Sequence, residues 1–252
     1  MQKSLAERLA ALRPNQVAFI DRIVAQLQAP ATFVRNPTSD FITETVLNDL
    51  GDTLRIHHCF SAEPFSKDKF EYALETACIA SQIPAFRANR GNPGHDLTIN
   101  KVPFSLKTQA DKSIRSDTIH ISKFMELGKG SWTDKPAQLN GLRDQFFHHM
   151  RSYDRIITLR KLQDVELEYY ELVEIPKTLL LEAKDGEFEM KLGSTQMPKP
   201  GYCTIRSPSG QIKFELYFDG GTERKLQIKN LSKTLCIVHA TWKFSRNQPM
   251  AL

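Results

Sequence analysis

Cysteine is scarce in this 252-residue chain. The four present, Cys59, Cys78, Cys203 and Cys236, include no Cys-x-x-Cys pair. Each sits in an apolar or strand-like context, so buried free thiols in a reducing compartment are expected rather than a disulfide framework. The adjacent pairs His57-His58 and His148-His149 have no further ligands at zinc spacing. Long apolar runs are missing too. No stretch of 18 apolar residues exists, so no membrane span is expected. The first 28 residues alternate charge and apolar side chains and lack a signal-peptide core, which points to the cytoplasm. Gly91-Asn92-Pro93-Gly94 has no following Lys-Ser/Thr and reads as a turn, not a phosphate-binding loop. Neither repeats nor low-complexity tracts occur.

The formal charge is +5, from 34 Lys and Arg against 29 Asp and Glu, which suits a polyanionic partner. Hydrophobic content of 40% and charged content of 25% are those of an ordinary globular protein with a substantial core.

The most informative stretch runs from His95 to Gln109. It reads as two short strands joined by a polar turn at Asn100-Lys101, with Asp96 opening the first strand and Lys107 in the second. Alternation places Ser105 and Lys107 on one face and Phe104 and Leu106 on the other. A carboxylate facing a lysine at the end of such a hairpin suits a magnesium-dependent phosphodiesterase. The acid would hold the ion, and the lysine would orient water and offset phosphate charge.

Upstream, Phe70, Ala73, Leu74, Ala77 and Cys78 form a helical stripe, with Ser66 as N-cap. Glu71 and Glu75 lie one turn apart on a face bordering that stripe. Downstream, residues 108–116 are polar and basic. Residues 119–127 then read as a short helix ended by Gly128, before a loop containing Gly and Lys. The segment resembles those that follow the catalytic strand in restriction enzymes, which implies phosphate contacts from Lys112, Arg115, Lys123 and Lys129, with Gln109 beside them.

This order of helix glutamate, aspartate, hairpin lysine and basic segment resembles the PD-(D/E)xK nuclease superfamily, type II restriction endonucleases in particular. Asp96 matches the family's first acid and Lys107 its lysine. Ser105 stands where the second acid is usual, and His95 replaces the proline. A hydroxyl is a much weaker magnesium ligand than a carboxylate, so the resemblance puts Glu71 in the missing role, with Glu75 second. The implied catalytic set is Asp96, Lys107, Glu71 and Ser105. The implied magnesium ligands are Asp96, Glu71 and the main-chain carbonyl of Leu106. The implied activity is magnesium-dependent hydrolysis of double-stranded DNA at a short specific sequence, leaving 5′-phosphates. A homodimer is expected, because two-fold sites call for two-fold proteins. A cognate DNA methyltransferase is the expected functional, not physical, partner, and the host a bacterium or archaeon. The competing readings are a non-catalytic DNA-binding protein with a degenerate nuclease fold, favoured by Ser105, and a mismatch-repair-like nicking endonuclease.

The expected fold is α/β (α+β): one restriction-endonuclease-like domain over 1–252, with a mixed central sheet flanked by helices. Its parts are a helical region over 1–60, a nuclease core near 66–132 and a β-rich region near 200–246. Within the first, residues 2–28 form an amphipathic helix broken or restarted around Pro14 and ended by Pro30. A second helix spans 40–50 under a Ser39 cap. Further elements are a helix over 138–153, strands over 155–162 and 169–175, and a short helix opened by Pro176. The last third alternates as antiparallel strands over 202–206, 211–218, 225–228 and 235–244, either extending the nuclease sheet or forming a small lobe. Its aromatics are expected to face the core and its lysines water.

Overall fold

The computed structural model describes residues 3–89, 94–111, 114–128 and 131–246. Proline at position 14 divides the expected first helix in two. A short α1 (Leu5–Ala10) carries a capping box between Ser4 and Glu7, and α2 (Pro14–Gln28) starts with the proline itself, where no backbone N–H is needed. After β1 (Ala31–Arg35), α3 spans Glu44–Phe60. It starts later than expected, because Thr43 rather than Ser39 is the cap, its hydroxyl accepting from the Val46 N–H at 3.2 Å. Ser39 Oγ lies 2.9 Å from His239 Nδ1 and also accepts the Ile42 N–H at 3.3 Å, ahead of the helix. The next helix, α4 (Lys67–Ala80), follows the sequence pattern: Ser66 caps it, and Phe70, Ala73, Leu74, Ala77 and Cys78 are its buried stripe.

Two short strands, β2 (Ala85–Arg87) and β3 (Leu97–Ile99), lead to β4 (Val102–Gln109). The β3–β4 hairpin turns on Asn100 and Lys101, both left-handed with φ of 48° and 68°, as a two-residue turn between twisted strands requires. The segment expected as a helix after it is instead β5 (Thr118–Glu126). A register shift opposite Ile121 and Met125 changes the burial spacing from two residues to three. Ile119, Ile121 and Phe124 thereby imitate helical periodicity. Gly128 does take a left-handed φ of 58°, but it follows a strand.

The chain continues through α5 (Leu139–His149), flanked by 3-10 turns, to β6 (Arg155–Leu162), β7 (Leu167–Ile175) and α6 (Lys177–Leu181). It ends with β8 (Glu187–Met190), β9 (Gly201–Arg206), β10 (Ile212–Phe218), β11 (Lys225–Ser232) and β12 (Ile237–Ser245).

The strands form two sheets, a seven-stranded one ordered β1-β12-β7-β6-β4-β3-β2 and a five-stranded one ordered β5-β11-β10-β9-β8. Among the described residues only β4 and β6 pair in parallel, so the first sheet is mixed and the second antiparallel. That parallel pair needs a crossover, and β5 and α5 lie within it. The C-terminal strands thus divide, with β12 extending the first sheet and β9–β11 building the second. One core joins the first sheet to α3 and α4, and includes Leu106, Ile157 and Trp242. The other lies between that sheet's opposite face, α5 and the second sheet, and includes Ile156, Val173, Phe124 and Phe146. Because β4 alternates, its Leu106 face packs towards the helices, while Ser105, Lys107 and Gln109 face the space under β5 and α5. Among the described residues no helix is long and apolar enough to cross a membrane.

Candidate active site

Asp96 precedes β3 and is held against β4 at both ends. Its main-chain N–H donates to the Phe104 carbonyl at 2.8 Å. Its carboxylate accepts the Leu106 N–H at 2.6 Å and the Ser105 hydroxyl at 3.4 Å, both on Oδ2. The remaining oxygen, Oδ1, accepts from Lys67 Nζ at 2.7 Å. Lys67 opens α4, and its ammonium lies 3.2 Å from Glu71 Oε1, one helical turn on. The two carboxylates therefore converge on a single cationic atom. Glu75 is occupied elsewhere: Arg87 gives it a backbone N–H at 2.9 Å and its Nε at 2.6 Å.

Burial pushes the Glu71 carboxyl above its usual range, helped by the charge of Asp96 and opposed by Lys67. At Lys67 burial alone would lower the ammonium, yet the hydrogen bond to Asp96 and the charges of Asp96 and Glu71 hold it above the ordinary value.

Lys107 is placed differently. Among the described residues its ammonium makes no hydrogen bond or ion pair; it lies over the Phe124 ring, 5.4 Å from the centroid. Burial brings it down to about 8 against the pull of Asp96 and Glu71, and the charge of Lys67 adds to the drop. Thr158 lies across from Lys107 and His149 feels its charge; Tyr153 packs on His149, and among the described residues Thr158 Oγ1, His149 Nε2 and the Tyr153 hydroxyl are buried without a hydrogen-bond partner. Burial, then the Lys107 charge, lowers His149 to about 4.

Lys107 opens into a cleft of about 410 Å³ between β4 and β5, where Lys67 and Lys123 are also found and, among the described residues, no carboxylate contributes. Such a lining favours an anion. A larger cavity of about 670 Å³, beside Lys161, Glu168 and Arg246, contains none of these residues. We assign function to the smaller one, because it adjoins the charged cluster.

The expected catalytic residues Asp96, Ser105, Lys107 and Glu71 are thus gathered at one place. The expected DNA contacts are more scattered. Arg115 is exposed and paired with Asp117 at 2.9 Å; Lys123, on the cleft wall, is paired with Glu126 at 2.8 Å. Gln109 is buried, its side-chain oxygen accepting from Arg160 Nε at 2.8 Å, so it serves inside the protein. Lys112 and Lys129 lie outside the described residues. Sequence reasoning missed Lys67, His149 and Tyr153. For Lys67 the signal available was its spacing of four from Glu71. For the other two, nothing in the local pattern pointed to the neighbourhood of Asp96 and Lys107.

Among the described residues no three His, Cys, Asp or Glu side chains cluster as metal ligands. What the site offers a cation is the Asp96 and Glu71 pair. Comparison with known proteins gives the framework for this chemistry. The family model described as SmaI, type II site-specific deoxyribonuclease, matches residues 5–244. The type II restriction enzyme SmaI of Serratia marcescens is 44% identical over 209 residues, 82% of this chain and 83% of that protein. No solved structure matches. The chain belongs to the SmaI family of type II site-specific deoxyribonucleases.

Proposed function

We propose that this restriction endonuclease hydrolyses double-stranded DNA at a short specific sequence, leaving 5′-phosphates, at a magnesium site built on Asp96 and Glu71. The observation that carries the reading is their convergence on one cationic atom, 2.7 Å from Asp96 and 3.2 Å from Glu71. Two hard carboxylate oxygens at a cation position fit magnesium, which takes one or two protein carboxylates and completes its shell with water and substrate phosphate. The Leu106 carbonyl is the third protein ligand proposed. Bound there, magnesium supplies positive charge to the scissile phosphate and lowers the pKa of a water.

The chain's own groups do the rest. The Leu106 N–H and Ser105 hydroxyl fix the Asp96 carboxylate, so Ser105 acts on the acid and is not itself a ligand. Lys107 faces the anion-accepting cleft with an ammonium near 8, so near that pH its Nζ exists in both forms. Neutral, it takes a proton from the attacking water; charged, it offsets the phosphate. Lys123 and Arg115 steer the DNA backbone, as do Lys112 and Lys129 by their place in the sequence. The mixed seven-stranded sheet serves as the restriction-endonuclease-like core of a single domain. The enzyme works as a homodimer on a two-fold site, in the cytoplasm of a bacterium or archaeon, with a cognate methyltransferase protecting the host DNA.

Incubation of plasmid DNA with magnesium, against an EDTA control, tests this. Discrete fragments with ligatable 5′-phosphate ends are expected only with the metal. A retarded but intact plasmid would replace catalysis with the DNA-binding reading.

A further inference from the structure

We propose that Lys67 is a built-in competitor for the divalent cation: its ammonium holds the metal position between Asp96 and Glu71 and must leave when the ion binds. The inference rests on the magnesium site proposed above and goes beyond it by assigning a role to a residue outside the hairpin motif.

Lys67 is not placed there for the helix. It opens α4, the end where the macrodipole disfavours a positive charge. Its partner Glu71 is four residues C-terminal, the weaker orientation for a lysine–glutamate pair. What holds it is Asp96, on a different element 29 residues away in sequence. Without an intervening cation, the two carboxylates would meet as like charges beside a partly buried surface. The ammonium thus offsets that repulsion and holds both acids at one point, with the site formed before an ion arrives. Its four-carbon stem is flexible, and it already borders the cleft that Lys107 and Lys123 line. Displacement therefore moves the charge toward the phosphate position instead of into bulk water. Lys107 cannot play this part, since it touches neither carboxylate.

The test is direct binding of Mn2+ to the full-length protein without DNA, by calorimetry or by electron paramagnetic resonance of the free ion. Lys67→Met should bind Mn2+ about tenfold more tightly than wild type, or more, because a charge competing for the same oxygens is gone. Lys67→Arg, which keeps the charge, should stay near wild type, and Asp96→Asn should lose binding. A lysine with a merely structural role would give the opposite sign, since its removal would loosen the site. Should the methionine variant fail to fold, Lys67→Gln gives the same readout. If Asp96→Asn abolishes binding but neutralising Lys67 leaves it unchanged or weaker, the competitor is overturned while the metal site stands. If Asp96→Asn binds Mn2+ normally, the metal site itself is wrong.

Discussion

Gln109 and Lys107 occupy alternate rungs of the parallel β4–β6 ladder, on one face of one sheet, and their surroundings are opposite in kind. Gln109 lies across from Arg160, and Lys107 across from Thr158. At the first rung the charges are closed. Arg160 gives Nε to Gln109, one terminal nitrogen to Glu171, and the other to the carbonyls of Arg115 and Thr118, each at 2.7 Å. Glu171 takes Lys233 as well, at 2.9 Å, and the Arg160 and Glu171 side chains are 0% and 1% exposed. At the second rung Lys107 has an aromatic face, with Thr158 across from it and His149 near it, each holding a buried atom that makes no hydrogen bond among the described residues. A buried charge with every partner present joins elements together. One left open, with its ammonium depressed and a cleft in front of it, is arranged for something that comes from outside.

The contrast breaks most sharply at the acids. Asp96→Ala is expected to lower single-turnover cleavage by about 10³-fold, while metal-free DNA binding stays at or above wild type because a negative charge beside the phosphate has gone. Wild-type rates would remove the site. At the closed rung, Glu171→Ala strands Arg160 and Lys233, and chemical denaturation should show a loss of about 3–5 kcal/mol. The folded fraction should still cleave. If instead it folds normally and is inactive, the division between the two rungs is wrong. Glu71→Ala should cost about 10²-fold in rate. Glu75→Ala should cost little, because that side chain is engaged by Arg87; the reverse ranking would move the helix ligand by one turn. Smallest is Ser105→Ala, with only a long hydrogen bond to Asp96 to lose, and single-turnover rates should change about threefold or less.

Much of this was legible in the sequence, and the parts that were not share a cause. The Asn100-Lys101 turn, the Ser66 cap with its apolar stripe, and the bounds of β6 are local features, and the structure places them where the residues predict. So is the motif order that resembles type II restriction endonucleases, a resemblance the family match bears out. What local pattern could not supply is pairing across the chain. Ser39 accepts the Ile42 N–H in the segment before the helix, where a histidine 200 residues away also meets its hydroxyl. The bulge in β5 exists because of its register with β11, and in sequence it gives helical spacing. Lys67 reads as an ordinary first-turn lysine until Asp96 is brought to it. Ser105 was legible as a departure, but its bond to Asp96 was not.

The central claim is that Lys107 carries an unsatisfied charge for the sake of the reaction, and one variant measured two ways tests it. Lys107→Met should lose cleavage by several orders of magnitude in single turnover. It should also be more stable than wild type, by roughly 1–3 kcal/mol below pH 8, because a desolvated ammonium has been removed. The sign follows from an ammonium lowered to about 8 when folded, against an ordinary 10.5. Below 8 the folded chain carries the full penalty of the buried charge. As pH rises from 8 to 10.5 the folded lysine is neutral before the unfolded one, and the difference from methionine fades. Lost cleavage with a stability gain that disappears toward high pH is the expected result. A Lys107→Met enzyme that still cuts, or one that is inactive because it is less stable, would contradict the account.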